Sequence, residues 1–176
     1  MGIAIAALQV FGLTRTERYA QWLRKFPRSV PLGVAFTLAA TAWFLYYLSQ
    51  ESIADLSSFK PLLYVLFGGV GVATCIFVQD FLATRGFAVL LLLLAKLLVD
   101  TGRPHLDDTP WVLLVQGFAY VLVIAGMWLT ISPWRMRDLV NWATASQARL
   151  KKLCAIRLGF GLLLVALGFT AFWNLK

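Results

Sequence analysis

Five predominantly apolar runs constrain this chain more than any other feature, because each is long enough to cross a bilayer as a helix. They cover residues 30–49, 61–78, 84–100, 111–131 and 155–173. About 20 residues of helix span roughly 30 Å of hydrocarbon, with a working range of about 17–25. Inside lipid every backbone polar group must be satisfied within its own segment or a closed barrel. Unbroken runs of this length therefore read as helices. The chain is 60% hydrophobic and 14% charged, where soluble domains average about 45–50% and about 25%. A water-soluble fold of 176 residues could not bury so much apolar surface. The expected class is all-α: one polytopic helical bundle in a single membrane domain, with no linker long enough to divide it.

The connections support this threading. Pro27-Arg28-Ser29 opens the first run, and Trp43, Tyr46 and Tyr47 close it as an interfacial aromatic belt. Gln50 to Lys60 is a polar loop. Pro61 stands in the first turn of the second run, where a missing N–H is harmless. Gln79-Asp80 through Arg85-Gly86 turns the chain into the third. That third run is short, and merging it with the second into a re-entrant hairpin is the competing arrangement. Thr101 to Pro110 is dense in helix breakers, and Trp111, Trp128 and Trp134 mark the ends of the fourth run.

Charge adds an orientation. Twelve of the sixteen basic residues fall on one side of this threading. They are Arg15, Arg18, Arg24, Lys25 and Arg28 before the first run, Arg85 in the inner turn, and Arg135, Arg137, Arg149, Lys151, Lys152 and Arg157 around the last. Lys/Arg bias places that side in the cytoplasm. The expectation is a bacterial inner-membrane protein with its N-terminus inside and its C-terminus outside. Met1 to Leu13 is apolar but precedes its basic residues, the reverse of a secretory signal, so cleavage is not expected.

Most of the inward cations belong to two amphipathic segments. In residues 14–26, Thr14-Arg15-Thr16-Glu17 fits a capping box. Tyr19, Trp22, Leu23 and Phe26 then share one face, opposite Glu17, Gln21 and Arg24. In residues 134–152, Met136, Leu139, Val140, Ala143 and Leu150 oppose Arg137, Asp138, Asn141, Arg149 and Lys152. Helices of this kind lie flat in the headgroup layer. Trp22, Arg24, Lys25, Trp134, Arg135, Arg137, Arg149, Lys151 and Lys152 form a candidate surface for anionic lipid headgroups or a partner subunit. Cations flanking apolar spans do not make a nucleic-acid footprint. Small residues at helical spacing (Ala35 and Ala39, Gly69 and Ala73, Gly117 and Ala125, Ala155 and Gly159) are expected to let helices pack closely.

Few residues carry chemistry. Asp80 and Arg85 read as a solvated pair at the inner turn, Gln116 as an interhelical hydrogen bond, and Lys96 as a snorkelling cation four residues before Asp100. His105, Asp107 and Asp108 are the sole candidate metal cluster, and their placement in one loop favours a solvated turn. Cys75 and Cys154 should lie at different depths, which argues against a disulfide. No P-loop, dinucleotide fingerprint or nucleophile–base pair is present, and no cofactor is expected.

Two local resemblances stand beside these readings. Lys96-Leu97-Leu98-Val99-Asp100-Thr101-Gly102-Arg103-Pro104 resembles the first signature of the membrane phosphatidic-acid phosphatases, a lysine, six residues, then Arg-Pro. The resemblance implies that Lys96 and Arg103 contact a phosphate. That family also needs a Ser-Gly-His and a nucleophilic histidine, and the single histidine here is His105. Residues 118–172 are similar to the small YjeT-type bacterial inner-membrane hairpin proteins, a family without an assigned activity. The similarity rests on a span, Ser132-Pro133-Trp134-Arg135, a basic amphipathic segment and a Gly-rich span with Ala166-Leu167-Gly168. The Glu-Gly and Pro-Asp of that family are absent, with Ala125-Gly126 at the first position.

The sequence therefore points to a non-enzymatic accessory, assembly or scaffold subunit that associates with other membrane subunits or with itself. A homo-oligomeric small-solute transporter or channel lined by Lys96, Gln116 and Asp80 is the alternative. A lipid-headgroup phosphate-handling protein acting through Lys96 and Arg103 is the third reading.

Overall fold

The computed structural model describes residues 2–50, 59–106 and 110–170. These residues form eight α-helices and no strand. In chain order they are α1 (Gly2–Thr14), α2 (Thr16–Lys25), α3 (Val30–Gln50), α4 (Lys60–Phe77), α5 (Leu82–Gly102), α6 (Trp111–Ile131), α7 (Trp134–Thr144) and α8 (Gln147–Thr170). Short 3-10 turns at Phe26–Arg28 and Arg103–His105 follow α2 and α5. Five helices, α3, α4, α5, α6 and α8, are long and apolar enough to cross a membrane. The molecule is a helical membrane bundle, as expected.

The second and third apolar runs form two separate antiparallel helices, each long and apolar enough to cross a membrane. The chain reverses between them within Val78–Phe81, where the Val78 N–H closes α4 on the Thr74 carbonyl at 3.0 Å. Phe81 then adopts a left-handed conformation at φ 55°, which costs a non-glycine residue roughly 1–2 kcal/mol. That reversal lets α5 begin at Leu82 and take in Leu82 and Ala83, so the helix outruns residues 84–100 at both ends.

The centre of the bundle is α5. It runs parallel to α3 and antiparallel to α6, and glycines set both distances. A Cβ on Gly33 would lie 2.7 Å from the Ala83 nitrogen, and one on Gly86 would lie 2.8 Å from the Thr37 nitrogen. Across the other face, Gly126 meets Leu92 and the Ala88 carbonyl. Leu82, Ala83, Thr84, Ala88 and Ala95 are fully buried between these neighbours. Lipid supplies no hydrophobic force between helices, so close van der Waals packing of this kind holds them together. By contrast α4 packs chiefly on α3, through Gly71 against Thr41 and the Phe44–Phe67 ring pair at 4.8 Å. Only 6% of its apolar stretch is buried, against 39% for α5.

One element was not anticipated. The apolar first residues form α1, which runs antiparallel along α8, with Gly2 against Gly161 and Val165 and Gly12 against Cys154. Thirteen residues rise about 20 Å, less than the hydrocarbon thickness. The α1–α8 pair meets the other helices through α2 and α7, and through Phe118 and Phe160 with ring centroids 5.0 Å apart.

Both amphipathic segments need correction. The Thr14 hydroxyl turns back to the Val10 and Phe11 carbonyls at 2.9 and 3.2 Å, completing α1. The capping box does not form: Arg15 is the break between helices, with no side-chain cap, and α2 starts at Thr16. Residues 134–152 are likewise not one helix. The Arg24 guanidinium donates to both the Thr144 hydroxyl and the Thr144 carbonyl at 2.9 Å, ending α7 there. After Ala145-Ser146 the chain restarts as α8. Arg149, Lys151 and Lys152 therefore stand on the first turns of the last spanning helix, which begins at Gln147 rather than at 155 and is described as far as Thr170. Trp173 and Lys176 lie outside the described residues, as do most of Gln50 to Lys60 and both Asp107 and Asp108.

Candidate functional site

The polar groups of the described residues gather in three places. The first is the basic end, where α2, α7 and the start of α8 meet. Tyr19, Leu150 and Cys154 form a buried cluster, flanked by Leu13, Ala20 and Leu23. Burial raises the Tyr19 hydroxyl above its ordinary pKa and the neighbouring Cys154 adds to the shift, while Arg157 and a hydrogen bond from Gln9 oppose it. Gln147 donates to Glu17 at 3.1 Å, and Arg149 donates to the Trp142 carbonyl at 3.0 Å while lying 5.0 Å over its ring. Trp22, Lys25, Trp134, Arg135, Lys151 and Lys152 are exposed. Arg137 is spent on its neighbour Asp138 at 3.2 Å. This end is built by side chains that tie helices together, with an outer rim of free cations and tryptophans.

The second place is the opposite end. Lys96 pairs with Asp100 at 2.6 Å and lies 4.9 Å over the Tyr47 ring, which itself stacks on Trp43. The i,i+4 spacing allows the ion pair, whereas the contact with Tyr47 was not anticipated. Arg103 is exposed in the 3-10 turn, so the two residues of the phosphatase-like signature differ in their engagement. Gln116 is buried and donates to the Val99 carbonyl at 3.2 Å, crossing from α6 to the last turn of α5. Its amide is close-packed against Gly102. That bond ties α6 to α5. Among the described residues no three His, Cys, Asp or Glu side chains could hold a metal ion.

The third place is a groove of about 290 Å³ between α3, α4 and α5. Thr37, Thr41, Thr74 and Arg85 line the part nearest the Val78–Phe81 turn, and Ala40, Val70 and Val89 line its apolar walls. The Phe44–Phe67 pair lies at its far end. The Thr41 hydroxyl donates to the Thr37 carbonyl at 2.8 Å, and that of Thr74 to the Val70 carbonyl at 2.7 Å. Arg85 Nε and the Thr37 hydroxyl are buried with no hydrogen-bond partner. The expected Asp80–Arg85 pair does not form. Asp80 stays exposed on the turn, whereas Arg85, on the first turn of α5, lines the groove.

Sequence reasoning missed the three threonines. Thr37 and Thr41 are four apart and so share a helix face, but that spacing does not say which helix will face them. No protein-family model, no curated protein and no solved structure matches the chain.

Proposed function

We propose that this chain is a non-enzymatic integral membrane protein of the bacterial inner membrane, serving as an accessory, assembly or scaffold subunit. Helix packing would hold it to partner subunits or to copies of itself. One observation carries the reading. Six of the eight small residues expected at helix contacts face outward from this molecule. Gly69, Gly117 and Gly159 have no atom within 4 Å of a built Cβ, and Ala35, Ala39 and Ala155 are exposed. The internal contacts use a different set: Gly33, Gly71, Gly86 and Gly126. Small residues at helical spacing on outward faces of α3, α4, α6 and α8 are what a further helix needs for close approach in lipid.

The polar groups point the same way. Lys96 and Gln116 are engaged in contacts that hold the fold, and Asp80 is on an exposed turn, so the three do not converge as a conduit would require. The Lys/Arg distribution supports a cytoplasmic basic end. Its exposed cations, each worth on the order of 1 kcal/mol near an anionic surface, support contact with headgroups there. The test is gentle purification from the source membrane, followed by Gly117→Leu and Gly159→Leu. Wild type should bring down partner subunits or run as an oligomer, and the substitutions should reduce that without changing the thermal midpoint. A wild-type protein that runs alone as a monomer in every mild detergent ends this reading.

A further inference from the structure

The groove between α3, α4 and α5 has a directional chemistry. Along each of its three helices the polar side chain comes first from the turn end, and apolar ones follow toward the middle. On α3 the order is Thr37, then Thr41, then Phe44. On α4, read from its end, it is Thr74, then Val70 and Phe67. On α5 it is Arg85, then Val89. Three helices with the same gradient make one amphiphilic slot, with a cationic mouth level with the basic end of the bundle. At about 290 Å³ it stands at the small end of ligand clefts, roughly 300–1,000 Å³. That suits a headgroup fragment and the first methylenes of a chain.

The mouth is also electrostatically incomplete. Arg85 Nε and the Thr37 hydroxyl are buried without a partner. The ion pairs among the described residues are Lys96–Asp100 and Arg137–Asp138, and no carboxylate lines the groove. Arg85 is half-buried with no anion beside it, and the planar fork of a guanidinium matches phosphate oxygens. We propose that this groove binds a phospholipid, with Arg85 and Thr37 donating to the headgroup phosphate and an acyl chain lying along Ala40, Val70 and Val89. The site is independent of the subunit role proposed above, since it lies on different residues.

The experiment is native mass spectrometry of the full chain in mild detergent, titrated with phosphatidylglycerol and with diacylglycerol of the same chains. Glycerol phosphate serves as soluble competitor. Phosphatidylglycerol adducts should dominate. Arg85→Gln should weaken them roughly tenfold to a hundredfold, the range for one charge-assisted hydrogen-bonding group. Arg135→Gln, at an exposed cation, should leave them unchanged. Val70→Trp keeps Arg85 but fills the slot from an exposed position, and should also weaken them; it decides the matter if Arg85→Gln loses its helicity. Equal binding of diacylglycerol overturns the proposal, as does undiminished binding by both variants. Displacement by equimolar glycerol phosphate overturns it in favour of a soluble-anion site.

Discussion

At the scale of single residues, the side chains that matter most sit where helices change direction. Tyr19 is one. Its pKa is raised chiefly by burial, so the folded state holds the phenolic proton more tightly than the unfolded chain, whose value is about 10. The stability this contributes is complete below about pH 10 and is lost as pH rises through the raised folded value. Thermal midpoints in detergent should therefore fall as pH rises above about 10, and Tyr19→Phe should flatten that fall. An identical slope in both proteins would remove Tyr19 as the cause. Arg24 is a second case. It satisfies two acceptors at the end of α7, and Arg24→Ala should cost roughly 1–3 kcal/mol. Faster hydrogen exchange at the α7 C-terminus, with α5 and α6 unchanged, is the signature to look for.

At the scale of elements, the runs that lipid must solvate were legible, because length and apolarity alone decide them. The limits of α3 and α6 follow from Pro27-Arg28-Ser29 and from Pro110 and Ser132-Pro133. What the sequence hid were tertiary decisions. Arg24 cuts a continuous amphipathic pattern at Thr144, and the pattern survives the bend because Leu150 still packs into the Tyr19–Cys154 cluster. The Thr14–Glu17 motif failed because α1 already claimed the Thr14 hydroxyl. Arg85 looked like a surface charge because nothing in a linear pattern shows which neighbouring helices will face it. Which glycines face inward was equally hidden, and it can be tested directly. Gly86→Val brings a side chain to within 2.8 Å of the α3 backbone, and overpacking of that kind costs about 1–3 kcal/mol. Gly117→Ala meets nothing and should leave the midpoint of the isolated protein unchanged or slightly raised. If both shift it equally, the α3–α5 contact is misplaced.

At the scale of the whole molecule, topology rests on alternation. Contacts make α3 and α5 parallel and α6 antiparallel to them, so the Arg103–His105 turn and α7 lie at opposite ends. Maleimide labelling checks this together with the proposed orientation. Leu106→Cys should react on intact cells with an impermeant reagent, and Arg137→Cys only after lysis, since Cys75 and Cys154 lie within spanning helices. The reverse pattern would turn the protein over and move its basic rim outside.

The parallel pairing of α3 with α5 also has a meaning in time. Gly33 and the Ala83 it meets are separated by about 50 residues, which at roughly 5–20 residues per second take about 3–10 s to synthesise. For those seconds α3 has entered the bilayer without the helix that will bury its close-packing face, and α4 is the sole companion yet made that is long enough to span. The first half of this chain must wait for its second to reach the membrane.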